Sequence, residues 1–370
     1  MLPADIKLTR ILNGLQKGYP VEKNEITYLL NLSDPKEIDR VFEAARKIRT
    51  RYFGNKIFLY GFLYFSTFCR NECCFCQYRQ SNTALLRYRK TREEILDAAR
   101  EMADAGVHLI DLTMGEDPEF YASGDAGFKN FVGMVKSVQD ATNLGVMISP
   151  GALPDSILSK LAAADVTWYA CYQETHNKNL YKELRQGQRF EKRLAKKQLA
   201  KGLGMLIEEG ILTGVGETLD DLADSILWMK AVAVDQARVM TFIPQPGTPM
   251  ADTRPQNSLK ERIIIAVMRL VLKDVLIPAS LDVDGLSGLK ARLDAGANVV
   301  TSIVPPQKGL AGVANHSLDI ETSRRTLDHV LPILKTCGLA SARHREYRAW
   351  TQNRQAAFLH YPQKKERKIC

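Results

Sequence analysis

No apolar run in this sequence is long enough to cross a membrane. The longest, Ile57 to Phe68, falls short of the ~20 residues a spanning helix needs. The opening MLPADIKLTR lacks the apolar core of an export signal, so a cytoplasmic protein is expected. Internal repeats and low-complexity segments are absent as well, which argues against solenoids and linkers. Cysteine is scarce outside one short stretch: Cys69, Cys73, Cys74 and Cys76 are clustered, whereas Cys171, Cys337 and Cys370 are scattered singly. That distribution excludes a disulfide framework and the paired knuckles of a structural zinc site.

The net charge of +9 would suit a nucleic-acid partner, but its location argues otherwise. From Arg343 to Cys370 there are eight Lys/Arg against two Glu, which accounts for most of the excess. The rest of the chain is nearly balanced, so nucleic acid is not the expected partner and residues 341–370 read as a basic C-terminal tail.

What the sequence does contain is STFCRNECCFCQYR, a Cys-x3-Cys-x2-Cys spacing over Cys69, Cys73 and Cys76. Three thiolates so spaced reach three corners of one [4Fe–4S] cube and leave the fourth iron open for a small molecule, whereas an electron-transfer ferredoxin caps all four. Cys74 offers other registers. The x3/x2 reading is preferred because it leaves an aromatic, Phe75, just before the last cysteine.

Eight β-rich runs alternate with helical patterns: 57–65, 109–113, 146–149, 166–172, 204–215, 238–243, 276–282 and 298–304. Helices are expected at Thr91 to Ala105, where Thr91 and Glu94 form a capping box, at Thr218 to Ala231, and around 188–201, 258–273 and 285–295, the last three with charged outer faces. The expected fold is therefore α/β, a (β/α)8 TIM barrel over 53–340, with residues 1–52 as an N-terminal helical cap. In such a barrel the active site lies at the C-terminal strand ends. Polar residues on or near those ends include Asp111, Met114-Gly115-Glu116, Glu174, Gly214, Arg238, Ser280, Asp282 and Asn298. An arginine fork suits a carboxylate and aspartates suit ammonium groups, so one arginine with two aspartates describes a pocket for a dibasic amino acid.

The cysteine spacing resembles that of the radical S-adenosylmethionine superfamily. Glu174-Thr175, Leu184-Arg185 and Arg193 resemble a pattern of its biotin synthase and HydE-like subgroup. That resemblance implies a [4Fe–4S] cluster on Cys69, Cys73 and Cys76, with S-adenosyl-L-methionine held by Gly115, Glu116, Ser149, Glu174, Arg185, Arg193 and Gly214. Longer segments, among them LIDLTMGEDP, MISPG, EGILTGVGE, RVMTFIPQPGTP, LIPASLD and AGANVVTSIVPP, resemble one branch of the subgroup, whose members rearrange a lysine carbon skeleton. This implies L-lysine as substrate, bound by Asp111, Arg238, Ser280, Asp282 and Asn298, and (3R)-3-methyl-D-ornithine as product. A 5′-deoxyadenosyl radical would start the reaction after reduction by a flavodoxin- or ferredoxin-type donor. The rival readings are another enzyme of the biotin synthase or HydE type and an RNA-modifying protein using the basic end.

Overall fold

The structure, a computed structural model, describes residues 4–314, 320 and 324–359. Eight strands form its centre: β1 (Lys56–Ser66), β2 (Leu109–Met114), β3 (Gly145–Ser149), β4 (Trp168–Ala170), β5 (Leu206–Thr213), β6 (Gln236–Thr241), β7 (Pro278–Ser280) and β8 (Val299–Ile303). They lie side by side in the order β6-β5-β4-β3-β2-β1-β8-β7, every neighbouring pair parallel. The seam between β6 and β7 is bridged at Gln236 and Leu276, where the Ala237 N–H donates to the Leu276 carbonyl at 2.9 Å. This is the expected barrel, with all eight strands where the sequence places them. The bounds differ by one or two residues, and at β6 this matters: it starts at Gln236 rather than Arg238, so Arg238 lies mid-strand.

Alternation along β1 shows how one strand builds two cores. Phe58, Tyr60, Phe62 and Tyr64 point into the barrel, while Ile57, Leu59, Leu63 and Phe65 pack beneath the helices. Glu94 and Thr91 do form the expected capping box at the start of the Arg92–Ala105 helix.

The N-terminal residues form helices Ala4–Lys17, Lys23–Leu30 and Pro35–Phe53. Asp34 caps the third by accepting from the Lys36 and Glu37 N–H groups, and Pro35 supplies a preset first residue. This helix packs against Ser258–Leu272. The covered helix consequently lacks the charged outer face expected of it: Ile263 to Leu272 are all buried, and its Glu261 pairs with Arg292 inside the protein.

The region after residue 340 also departs from expectation. Ala340–Ser341 pairs with β1, and His344–Leu359 is a helix closing the N-terminal end of the barrel. Trp168 Nε1 donates to Tyr347 Oη at 3.0 Å, Tyr347 Oη donates to Tyr60 Oη at 3.0 Å, and Trp350 stacks on Trp168 with 6.1 Å between ring centres. Arg354, counted in the basic tail, pairs with Asp235 and Asp274. A few aromatic anchors thus make a fold element of a segment whose composition reads as solvated. Residues 360–370, the rest of that tail, lie outside the described residues. Among the described residues no helix is long and apolar enough to cross a membrane.

Candidate active site

The cysteine loop leaves the C-terminal end of β1 and is pinned across the barrel mouth. The Arg70 N–H donates to the Glu116 carbonyl at 2.9 Å, and Glu72–Cys73 pairs with Arg185–Gln186 as a two-stranded ribbon. Cys69, Cys73 and Cys76 line one cavity of about 1160 Å³, counting its mouth. Cys74 points away from it, its thiol donating to the Glu183 carbonyl at 3.2 Å. Burial pushes the Cys69 thiol up to about 11, and Cys76 is raised by burial and by its neighbours Cys73 and Cys69. Bare thiolates at Cys69 and Cys76 are thus disfavoured, and three cysteines lining one cavity supply the soft donors that an iron–sulfur cluster takes. Arg185 Nη1 and Gln188 Nε2 stand 3.4 and 3.0 Å from Cys73 Sγ as charge-balancing donors. Gly115 holds the neighbouring turn against this loop: a Cβ there would lie 2.3 Å from the Phe68 carbonyl oxygen and 2.7 Å from Cys69 Cβ.

Above β2, β4 and β5 sits a layer of paired charges lining the same cavity. Glu174 Oε1 accepts from Arg185 Nη2 at 2.6 Å, and Arg185 lies over the Phe75 ring at 5.2 Å. Arg193 Nη1 approaches Glu116 Oε1 at 3.4 Å, while its Nε donates to the Tyr172 carbonyl at 3.0 Å. Arg185, which would otherwise read as an exposed helix charge, is buried. Glu174 takes a left-handed φ of 68°, a conformation costing on the order of 1–3 kcal/mol. It is held there from both sides, its N–H donating to the Gly210 carbonyl and its carbonyl accepting from the Leu212 N–H, each at 3.0 Å.

Deeper in the barrel, Arg238 meets Glu208. Nε of Arg238 donates to Glu208 Oε1 at 2.7 Å and Nη1 donates to Thr301 Oγ1 at 3.1 Å. Nη2 is buried with no partner among the described residues. Burial opposes the charge on Arg238, but the Glu208 carboxylate more than restores it. Asp111 lies just behind two lining hydroxyls, accepting on Oδ1 from Ser149 at 2.8 Å and Thr113 at 3.1 Å. Its Oδ2 is likewise buried without a partner. Burial, and then the nearby Glu208 charge, push the Asp111 carboxyl up to about 7. An unmatched donor and an unmatched acceptor so close to one cavity suit a zwitterionic ligand.

Several residues singled out from the sequence sit elsewhere. Gly214 does not line the cavity: its N–H donates to the Glu217 carboxylate, which closes the turn after β5. Asn298 precedes β8 at the closed end of the barrel, where its Oδ1 accepts from Arg269 Nη2 at 2.6 Å and the Ile277 N–H at 2.8 Å. It lies on the wrong side of the strand to meet a ligand in the mouth. Ser280 and Asp282 are inside the barrel but already engaged, Asp282 accepting from Arg325 at 2.9 Å, Ser302 at 2.6 Å and Tyr64 at 3.1 Å. Gly115, Glu116, Ser149, Glu174, Arg185, Arg193 and Arg238 do line the cavity with the three cysteines.

Sequence reasoning missed Glu208 and Arg325. The available signal for the first was Glu208-Glu209, two adjacent acids inside an otherwise apolar strand. It also missed the cover of the cavity. Val313 and Ala314 line it from above, and their segment is tied down by Gln77 and Tyr78 of the cysteine loop and by Gln245.

Comparison with known proteins agrees with this geometry. Residues 63–229 match the Radical SAM superfamily. The chain is 42% identical over 340 residues to the 3-methylornithine synthase of Methanosarcina acetivorans, covering 92% of this chain and 96% of that protein. It is 32% identical over 274 residues to the [FeFe] hydrogenase maturase subunit HydE of Thermotoga maritima, covering 73% and 77% of the two chains. The crystal structure of a methylornithine synthase, PylB, superposes with a TM-score of 0.87 at 42% identity, covering 92% of this chain and 99% of that one. The chain thus belongs to the radical SAM superfamily, in the group formed by the 3-methylornithine synthases.

Proposed function

We propose that this protein converts L-lysine into (3R)-3-methyl-D-ornithine in the cytoplasm, using a [4Fe–4S] cluster, S-adenosylmethionine and an electron from a flavodoxin- or ferredoxin-type carrier. The observation carrying this reading is the pair of unmatched buried atoms, Arg238 Nη2 and Asp111 Oδ2, beneath the cavity lined by the cysteines. Arg238 Nη2 donates to the substrate carboxylate and Asp111 accepts from an ammonium group, each satisfying an atom that is costly to leave bare. Ser280 and Asp282 lie inside the barrel behind the lining residues, and the Asp282 carboxylate adds its field at Arg238.

Cys69, Cys73 and Cys76 hold the cluster, and Arg185 balances thiolate charge at Cys73. Ser149, the Gly115-Glu116 turn and the Glu174–Arg185 and Glu116–Arg193 pairs hold the amino-acid end of S-adenosylmethionine, which needs acceptors for its ammonium and donors for its carboxylate. When bound, the two groups supply a carbon-centred radical able to take a hydrogen atom from an unactivated C–H bond. The segment carrying Val313 and Ala314 excludes water above it.

The test is anaerobic incubation of reconstituted protein with reductant, S-adenosylmethionine and L-lysine, followed by chromatography and mass analysis of the amino acids. A methylornithine isomeric with lysine is expected. Cofactor cleavage with lysine left unchanged would overturn the proposal.

A further inference from the structure

Glu208 and Glu209 are consecutive residues of β5, and both are completely buried. Alternation sends them to opposite faces. Glu209 turns outward to Lys197, beneath the Phe190–Gly202 helix, and has a conventional structural partner. Glu208 turns into the barrel, where TIM-barrel interiors are ordinarily filled by branched aliphatic side chains. Three donors converge on it: Arg238 Nε at 2.7 Å, Gln236 Nε2 at 2.6 Å and Tyr172 Oη at 2.7 Å. Arg238 is thereby held by its Nε edge, which leaves Nη2 as the atom without a partner. Tyr172 is held upright in the cavity wall, in space that opens only because residue 210 is glycine: a Cβ there would lie 2.8 Å from the tyrosine ring.

Among the described residues, the charges around this point do not cancel once Asp111 is ionised: Asp111 on β2, Glu208 on β5 and Asp282 after β7 face Arg238 on β6 and Arg325 beyond β8, three acids against two arginines. The other titratable groups there among the described residues, Tyr60, Tyr64, Tyr78, Tyr172 and Tyr347, are kept neutral by burial. An uncompensated negative charge inside a protein is unfavourable until a cation joins it. A neutral zwitterion such as norleucine brings one ammonium and one carboxylate and leaves the excess standing. An amino acid with a second ammonium group removes it.

We infer that Glu208 is a positioning and specificity-determining residue: it aims Arg238 at the substrate carboxylate and supplies the excess negative charge that makes the pocket select a dibasic amino acid. The inference rests on the lysine reading above. The two act together at Asp111, whose ionisation Glu208 opposes and a substrate ammonium favours.

The test compares equilibrium binding of L-lysine and L-norleucine to the reconstituted holoenzyme from about pH 6 to about pH 8. For Glu208→Gln the preference for lysine is expected to fall by about tenfold, the effect of one charge-assisted interaction. The midpoint of the pH dependence of lysine binding is also expected to move to lower pH, a change that a loosened fold would not produce. Glu208→Asp keeps the charge and should keep the midpoint. If Glu208→Gln assembles no cluster, Gln236→Lys, which sets an ammonium against the Glu208 carboxylate, should give the same fall and the same shift. A variant that neutralises Glu208 yet keeps the wild-type preference and midpoint overturns the role of Glu208. Wild-type protein that binds neither amino acid overturns instead the lysine reading on which it rests.

Discussion

Arg238 and Arg269 are both buried arginines of one barrel, and they show how its two ends differ. At the closed end every part of Arg269 is engaged: Nε donates to the Gly296 carbonyl, Nη1 to the Lys273 and Val275 carbonyls and Nη2 to Asn298. Burial, and then the neighbouring Arg49 charge, pull its guanidinium down to about 9 against a weaker opposing effect of Asp274. Arg238, toward the open end, has a carboxylate on one side and an unused donor on the other. A buried charge with its hydrogen bonds complete braces the fold, whereas one left incomplete beside a cavity awaits a ligand. The missing bond alone does not mark a site. Asn298 Nδ2 also lacks a partner among the described residues, yet it does not line the cavity.

The largest contrast is expected at the thiols. Cys69→Ala, Cys73→Ala and Cys76→Ala should each abolish the iron–sulfur absorbance and all cleavage of S-adenosylmethionine, while Cys74→Ala keeps both. Cluster loss in the Cys74 variant would show that the ligands are misassigned. Next come the two arginines. Arg238→Ala or Asp111→Ala should lower kcat/KM for lysine by the equivalent of ~2–5 kcal/mol, as for one partner of a desolvated charge pair, with cofactor cleavage per folded molecule in the absence of lysine little changed. Arg269→Ala should do the reverse, losing ~1–3 kcal/mol of stability for each carbonyl it leaves buried without a donor, with turnover per folded molecule preserved. Equal effects of both arginine variants on stability and turnover would dissolve the comparison.

A smaller effect concerns pH. In the free protein the Asp111 carboxyl titrates near 7, and an ammonium beside it favours the ionised form. Lysine binding below that point must therefore release a proton, so affinity should rise with pH up to about 7 and then level off. Calorimetry in buffers of different ionisation enthalpy reads the released proton directly, and Asp111→Asn should remove it. Smallest is Tyr347→Phe at the closed end, which deletes the hydroxyl between Trp168 and Tyr60. It should cost about 1 kcal/mol in stability and leave turnover unaltered.

The parts of this molecule legible in its sequence are those encoded locally. Each strand is a short β-branched or aromatic run between turns, and the cysteine loop fits its three thiols within eight residues. Asp111 and Arg238 were readable through the resemblance, position by position, since both lie within their strands rather than at the carboxyl ends. The barrel rule, which assigns chemistry to strand ends, misled at Asn298, where a residue before the strand faces the opposite end of the barrel from one after it. Glu208 escaped because both faces of β5 are buried, so polarity does not reveal which of two adjacent acids points inward. The Arg325 partner of Asp282 is 43 residues away, a pairing that no local pattern carries. The terminal helix was obscured by its basic composition, although Tyr347 and Trp350 anchor it to the barrel interior.

The account rests on Arg238 and Asp111 receiving opposite ends of one amino acid, and a crystal structure of the holoenzyme with L-lysine tests that most directly. The expected result is a carboxylate within hydrogen-bond distance of Arg238 Nη2 and an ammonium group on Asp111 Oδ2, with Glu208 still on Arg238 Nε. Lysine bound elsewhere, or bound with both atoms still unpartnered, would contradict it.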